Sequence, residues 1–77
     1  METIYVLMKV EPGALDKVCH DLKTMKDVIE VATVTGAYDV FVKVEGKFIS
    51  DVLSVVLREI RKMPGVQSTE TLIAIKM

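Results

Sequence analysis

The chain has 77 residues, 51% of them apolar and only 5% aromatic, with one cysteine and one histidine. That length makes one domain, residues 1–77; a lone cysteine excludes an intramolecular disulfide, and no cluster of His, Cys, Asp and Glu at ligand spacing argues for a metal. Ten basic against eleven acidic side chains leave a formal net charge of −1, a poor footprint for nucleic acid, which selects a basic stripe that displaces counterions from phosphates.

Domains of this size gain about 3–5 kcal/mol from a single core and usually add a staple. With disulfide and metal set aside, self-association is the remaining way to cover so much Val, Ile, Leu and Met. No apolar stretch approaches membrane-spanning length, and Glu2 opens a strand pattern rather than a basic leader, so neither a transmembrane helix nor a signal peptide is expected. A cytoplasmic location fits an isolated thiol.

Thr3 to Val10 alternates as a first strand, with Ile4, Val6, Met8 and Val10 on one face and Tyr5 and Leu7 on the other, and it stops at the turn signal Glu11-Pro12-Gly13. The period then changes from two to 3.6. Leu15, Val18, Cys19, Leu22 and Met25 share one face of an amphipathic helix that starts near Pro12 or Gly13, and charged residues occupy the other. Cys19 lies on the apolar stripe, as a buried small hydrophobe does, and His20 points away from it into solvent.

Val28 to Val34 and Val40 to Glu45 are β-branched runs around Thr35-Gly36-Ala37-Tyr38-Asp39, which reads as a hairpin turned at Gly36. From Phe48 the helical period returns, with Phe48, Ile49, Val52, Leu53, Val56, Leu57, Ile60 and Met63 as the expected buried stripe, until Pro64-Gly65 ends it. Asp51 early and Arg58, Arg61 and Lys62 late suit the helix dipole, which explains that basic cluster without invoking nucleic acid. Val66 to Ile75 is the last strand, with Thr69, Thr71, Ile73 and Ile75 on one face.

Strand, helix, strand, strand, helix, strand predicts the ferredoxin-like βαββαβ arrangement of the α+β class: a four-stranded antiparallel sheet ordered 4-1-3-2 with both helices on one face. The opposite face is then open, yet Tyr5, Leu7 and Phe41 make it apolar, which predicts a dimer packed through its sheets.

Catalysis finds few parts. His20 is the only histidine, Cys19 faces the core, no glycine-rich phosphate cradle precedes a helix, and no cofactor or metal site is expected. Val10-Glu11-Pro12-Gly13 lacks the paired cysteines of metal-carrying proteins of this topology and the arginine of acylphosphatases. The hairpin tip is the candidate site. Asp39 either accepts hydrogen bonds from the turn's own amides or pairs with a ligand's ammonium while amides freed by Gly36 receive its carboxylate; Tyr38 either packs at a subunit contact or touches the ligand.

Val34-Thr35-Gly36-Ala37-Tyr38-Asp39-Val40-Phe41 resembles the glycine, any residue, tyrosine, aspartate signature that opens the third strand of the effector domain in the Lrp/AsnC transcription regulators. Met63-Pro64-Gly65-Val66-Gln67-Ser68-Thr69-Glu70-Thr71-Leu72 similarly resembles their proline-glycine-valine turn followed by alternate threonines. The resemblance covers essentially the whole chain. It implies a domain of the type named for regulation of amino acid metabolism, dimeric through its sheets, assembled into rings of dimers and binding amino acids between dimers, with Gly36, Tyr38, Asp39, Thr69 and Thr71 as the site. Full-length members also carry an amino-terminal helix-turn-helix, whereas here Met1 runs straight into the first strand. The expectation is thus a stand-alone, non-catalytic effector domain without direct DNA binding, able to pair with a full-length relative; the alternative is an assembly partner with no ligand.

Overall fold

A computed structural model describes residues 1–77. Strand β1 (Glu2–Val10) leads through a short turn to helix α1 (Leu15–Lys23), then β2 (Val28–Thr33), β3 (Val40–Gly46), helix α2 (Ile49–Val55) and β4 (Val66–Ile73). The sheet is antiparallel and ordered β2-β3-β1-β4, the expected ferredoxin-like order read from its other edge. β1 and β3 sit in the middle because they carry the most continuous apolar runs: Ile4, Val6, Met8, Val40, Val42 and Val44 are all fully buried.

Those six face both helices. Val18 and Leu22 of α1 and Val52 and Val56 of α2 join them, with Ile60 and Met63 beyond, in one cluster that contains no buried polar or charged residue. Removing this much aliphatic surface from water on one side of a sheet is the main term holding so short a chain folded.

The second helix departs from the expected stripe in two places. After Val55 the α-helix opens into a π-helical turn, Val56–Ile60, closed by the Arg61 amide donating to the Val56 carbonyl at 2.9 Å. The wider turn keeps Ile60 over the core in line with Val52 and Val56, and it leaves Leu57 51% exposed rather than buried. Phe48 is also outside the core, at 58% exposure. It holds the extended backbone of the N-cap position (φ −121°, ψ 140°), and its ring lies under the Lys47 ammonium 5.6 Å away. Helix α1 begins later than expected, at Leu15, and β2 and β4 stop earlier, at Thr33 and Ile73.

Gly65 shows how tightly the ends are fitted. Its φ is +92°, and a Cβ built there would stand 2.6 Å from the Ala14 Cβ at the head of α1. At the hairpin tip Gly36 has φ +107° but open space around it. Alanine at Gly36 therefore meets only the left-handed penalty of about 1–2 kcal/mol, and alanine at Gly65 adds a collision that displaces α1. We expect Gly65→Ala to lose about 2 kcal/mol or more in urea unfolding, clearly more than Gly36→Ala. Equal losses would show that Ala14 gives way freely.

Candidate functional site

At the hairpin tip the chain is held by main-chain and side-chain bonds that converge on Asp39. The Val34 amide donates to the Asp39 carbonyl at 2.9 Å, closing the loop over Gly36, and the Asp39 amide donates to the Met8 carbonyl at 2.8 Å. Just beyond the last paired residues of β1 and β3, Met8 and Val40, the Val10 amide donates to Asp39 Oδ2 at 2.9 Å. The carboxylate is thus bound by an amide of the neighbouring strand and not by the turn's own amides. The reason is geometric: on the side facing β3, β1 runs past the end of its ladder, and the amide of Val10, which is buried, needs an acceptor there.

Oδ1 of Asp39 makes no hydrogen bond within the chain. Asp39 lines a cleft of about 270 Å³ with Glu11, Pro12, Gly13, Thr33 and Val34, where the loop after β1 faces the mouth of the hairpin. Two carboxylates and no cation line this cleft. That charge pattern attracts an ammonium, the more so because one acceptor oxygen is already fixed in place by Val10.

Tyr38, next in sequence, goes elsewhere. Its hydroxyl donates to the Glu70 carboxylate on β4, across the open face of the sheet. That bond, reinforced by the carboxylate's charge, pushes the phenol above the ordinary tyrosine value of 10.0. A raised acid favours its protonated form in the folded state, so the contribution is complete below the unfolded value and disappears as pH climbs through the folded one. In a Tyr5→Phe background, where Tyr38 is the sole tyrosine, ultraviolet titration should place its ionisation above pH 10.0, and Glu70→Gln should lower it; no change on that substitution would break the pairing.

Thr69 and Thr71 pair with Met8 and Val6 of β1, and so share the helix-covered face, whereas Glu70 and Leu72 pair with Leu7 and Tyr5 on the open one. Within one chain, then, Asp39 occupies the cleft, Tyr38 reaches over the open face, and the two threonines sit on the far strand under the other face. Gly36 is at the exposed tip and outside the cleft lining.

The open face itself is apolar at its centre. Tyr5 and Phe41 stack with centroids 5.6 Å apart, flanked by Leu7, Ala32 and the exposed Leu72, while Lys43, the cross-strand partner of Tyr5, pairs with Glu45 (3.6 Å) beside them. A further groove, between α1 and β2, is lined by Asp16, Cys19, His20 and Lys23. Burial pushes the Cys19 thiol up, with Lys23 opposing the effect and Asp16 adding to it, so the thiolate that reacts or binds metal is disfavoured. His20 is exposed, and no group of three or more His, Cys, Asp or Glu could hold a metal ion.

Against known proteins, the family model described as the Lrp/AsnC ligand binding domain matches residues 3–77. The chain belongs to the Lrp/AsnC family. It is 36% identical over 72 residues to the HTH-type transcriptional regulator FL11 of Pyrococcus horikoshii, a match covering 94% of this chain and 47% of that protein. The crystal structure of FFRP-DM1 superposes with a TM-score of 0.92 at 40% identity, covering 97% of this chain and all of that one. A second crystal structure, of TTHA0845 from Thermus thermophilus, superposes with a TM-score of 0.92 at 31% identity, covering 100% of this chain and 96% of that one. The chain spans about half the length of the curated relatives it matches, which are transcriptional regulators.

Two residues that bear on this site are not apparent from sequence patterning. Alternation with Thr69 and Thr71 assigns Glu70 to the open face of β4, but nothing local marks it as Tyr38's partner. Glu11 in the Asp39 cleft had no local signal; only the closure of the loop after β1 over the hairpin mouth brings it there.

Proposed function

We propose that this Lrp/AsnC domain is a non-catalytic module that binds a small amino acid and associates with copies of itself through its open sheet face. The observation that carries the ligand half is Asp39: a carboxylate fixed by the Val10 amide, with its second oxygen unspent in an anionic cleft, suits an α-ammonium group. Membership of a family described by its ligand binding domain supports it. In this reading the amides beside Gly36 take the carboxylate, Tyr38 closes the site from the open face, and Thr69 and Thr71 join it from a neighbouring subunit, because within one chain they lie outside the cleft.

The assembly half rests on the stacked Tyr5 and Phe41 with Leu7 and Leu72, an accessible apolar patch that suits a second copy of the same face. Ligand that binds one arrangement of subunits more tightly than another shifts the balance between them. That gives a way to sense an amino acid and to report it to a full-length regulator sharing the same domain. Calorimetric titration against a panel of amino acids tests the ligand half. L-methionine is the first probe, as a regulator from Neisseria meningitidis with the same fold (TM-score 0.87, 14% identity) was crystallised as a complex with it. Heat from at least one member of the panel, lost on Asp39→Asn, is the expected result; no binding across the panel leaves assembly as the whole function.

A further inference from the structure

The basic end of the second helix holds a guanidinium that the fold does not use. Arg58, Arg61 and Lys62 offset the partial negative charge of the helix end, yet none of the three forms an ion pair or a side-chain hydrogen bond in the chain. Arg61 directly follows the π-helical turn and opens onto a groove of about 290 Å³, whose other wall is Val66, Gln67, Ser68 and Thr69 of β4. β4 is an edge strand, so one side of its main chain is unpaired. The ladder slips there too: Lys9 pairs with Ser68 and Val10 with Val66, leaving Gln67 bulged without a partner on β1.

The donor set is one-sided. A guanidinium, a carboxamide and two hydroxyls line the groove, and no carboxylate does: Glu59, two residues before Arg61, is not part of it, and Glu70, next to Thr69, is turned to the open face and paired with Tyr38. Two separate backbone irregularities, the wide helical turn and the strand bulge, place Arg61 and Gln67 against the same space. We propose that this groove binds a small oxyanion, a carboxylate or a phosphate, with Arg61 as the charged anchor and Gln67 and Thr69 as neutral donors. A planar fork of N–H groups matches either anion with two parallel bonds, and the nearby charges of Arg58 and Lys62 raise its local concentration. Within one chain the groove shares no lining residue with the Asp39 cleft; Thr69 is the one residue it has in common with the amino-acid site proposed above, and the Asp39→Asn arm of the test separates the two.

Backbone amide chemical shifts followed by NMR during titration with inorganic phosphate, and separately with acetate, at fixed ionic strength, decide the matter. Saturable one-to-one shifts centred on Gln67 to Thr69 are expected with at least one anion, and the tighter of the two identifies the source. Arg61→Gln should weaken binding about tenfold or more, Arg58→Gln less than about threefold, and Asp39→Asn not at all. All three side chains are at least partly exposed, so folding should survive, as circular dichroism will verify. Shifts that never saturate, or equal losses at Arg58 and Arg61, mean diffuse attraction and overturn the proposal. So does binding unaltered by Arg61→Gln.

Discussion

Replacing Asp39 by alanine should destabilise the domain by about 1–3 kcal/mol, the usual result of leaving a buried amide without an acceptor. Val10 is only 7% exposed and its N–H has the Asp39 carboxylate as its partner. Asparagine separates the two duties of that side chain. Its amide oxygen still accepts from Val10, so urea unfolding of Asp39→Asn should stay within about 0.5 kcal/mol of the parent protein. What it loses is charge. An ammonium held by a neutral oxygen instead of a carboxylate should bind about tenfold or more weakly in calorimetry. Alanine alone would confound loss of ligand with loss of fold. If asparagine is as unstable as alanine, the Val10 bond needs the full carboxylate; if it binds amino acids unchanged, the ammonium site lies elsewhere.

A single lysine in place of Leu7 should dissolve the assembly while sparing the subunit. Leu7 lies on β1 between Phe41 and Glu70 in the centre of the open face, and it is only half-buried in the lone chain. A long side chain can lift its ammonium into water when the subunit is alone. In a face-to-face dimer about a two-fold axis the same substitution brings two desolvated charges into an apolar contact, and anchors of that kind are worth about 2–4 kcal/mol each. Sedimentation at micromolar concentration should show the parent protein as a dimer or larger and Leu7→Lys as a monomer, with unchanged circular dichroism. A parent protein that sediments as a single subunit at that concentration refutes the sheet-face contact, and so does a variant that remains associated.

The frame is readable from sequence because its signals are local. The change of period at Gly13 and again at Phe48 marks helix against strand, and the alternation of Ile4, Val6 and Met8 assigns the buried face of β1 before any contact is known. The stripe expected on the second helix is too wide. Phe48 and Leu57 are nine residues apart, about two and a half turns, so one regular helix cannot bury both; the N-cap position exposes the first and the π-helical turn the second. The turn itself leaves no trace in the sequence, since the spacing of Val52, Val56 and Ile60 also satisfies an ordinary helix. At the tip, Gly36 and Asp39 can be placed in a turn, but the partners that define their chemistry come from afar. Val10 is 29 positions from Asp39 and Glu70 is 32 from Tyr38, and neither pairing has a pattern that a linear reading detects.

The widened turn at Val56–Ile60 also tells how this domain tolerates changes in length. One residue more than an α-turn is stored there as a bulge on the water side, with the anchoring side chains before and after it still seated. A shorter relative could dispense with that residue by tightening the coil, and a longer one could add a loop at the same spot, without re-registering β4 against β1. By this geometry a one-residue change in length at the turn would be taken up within the helix and not passed on to the seam between the strands.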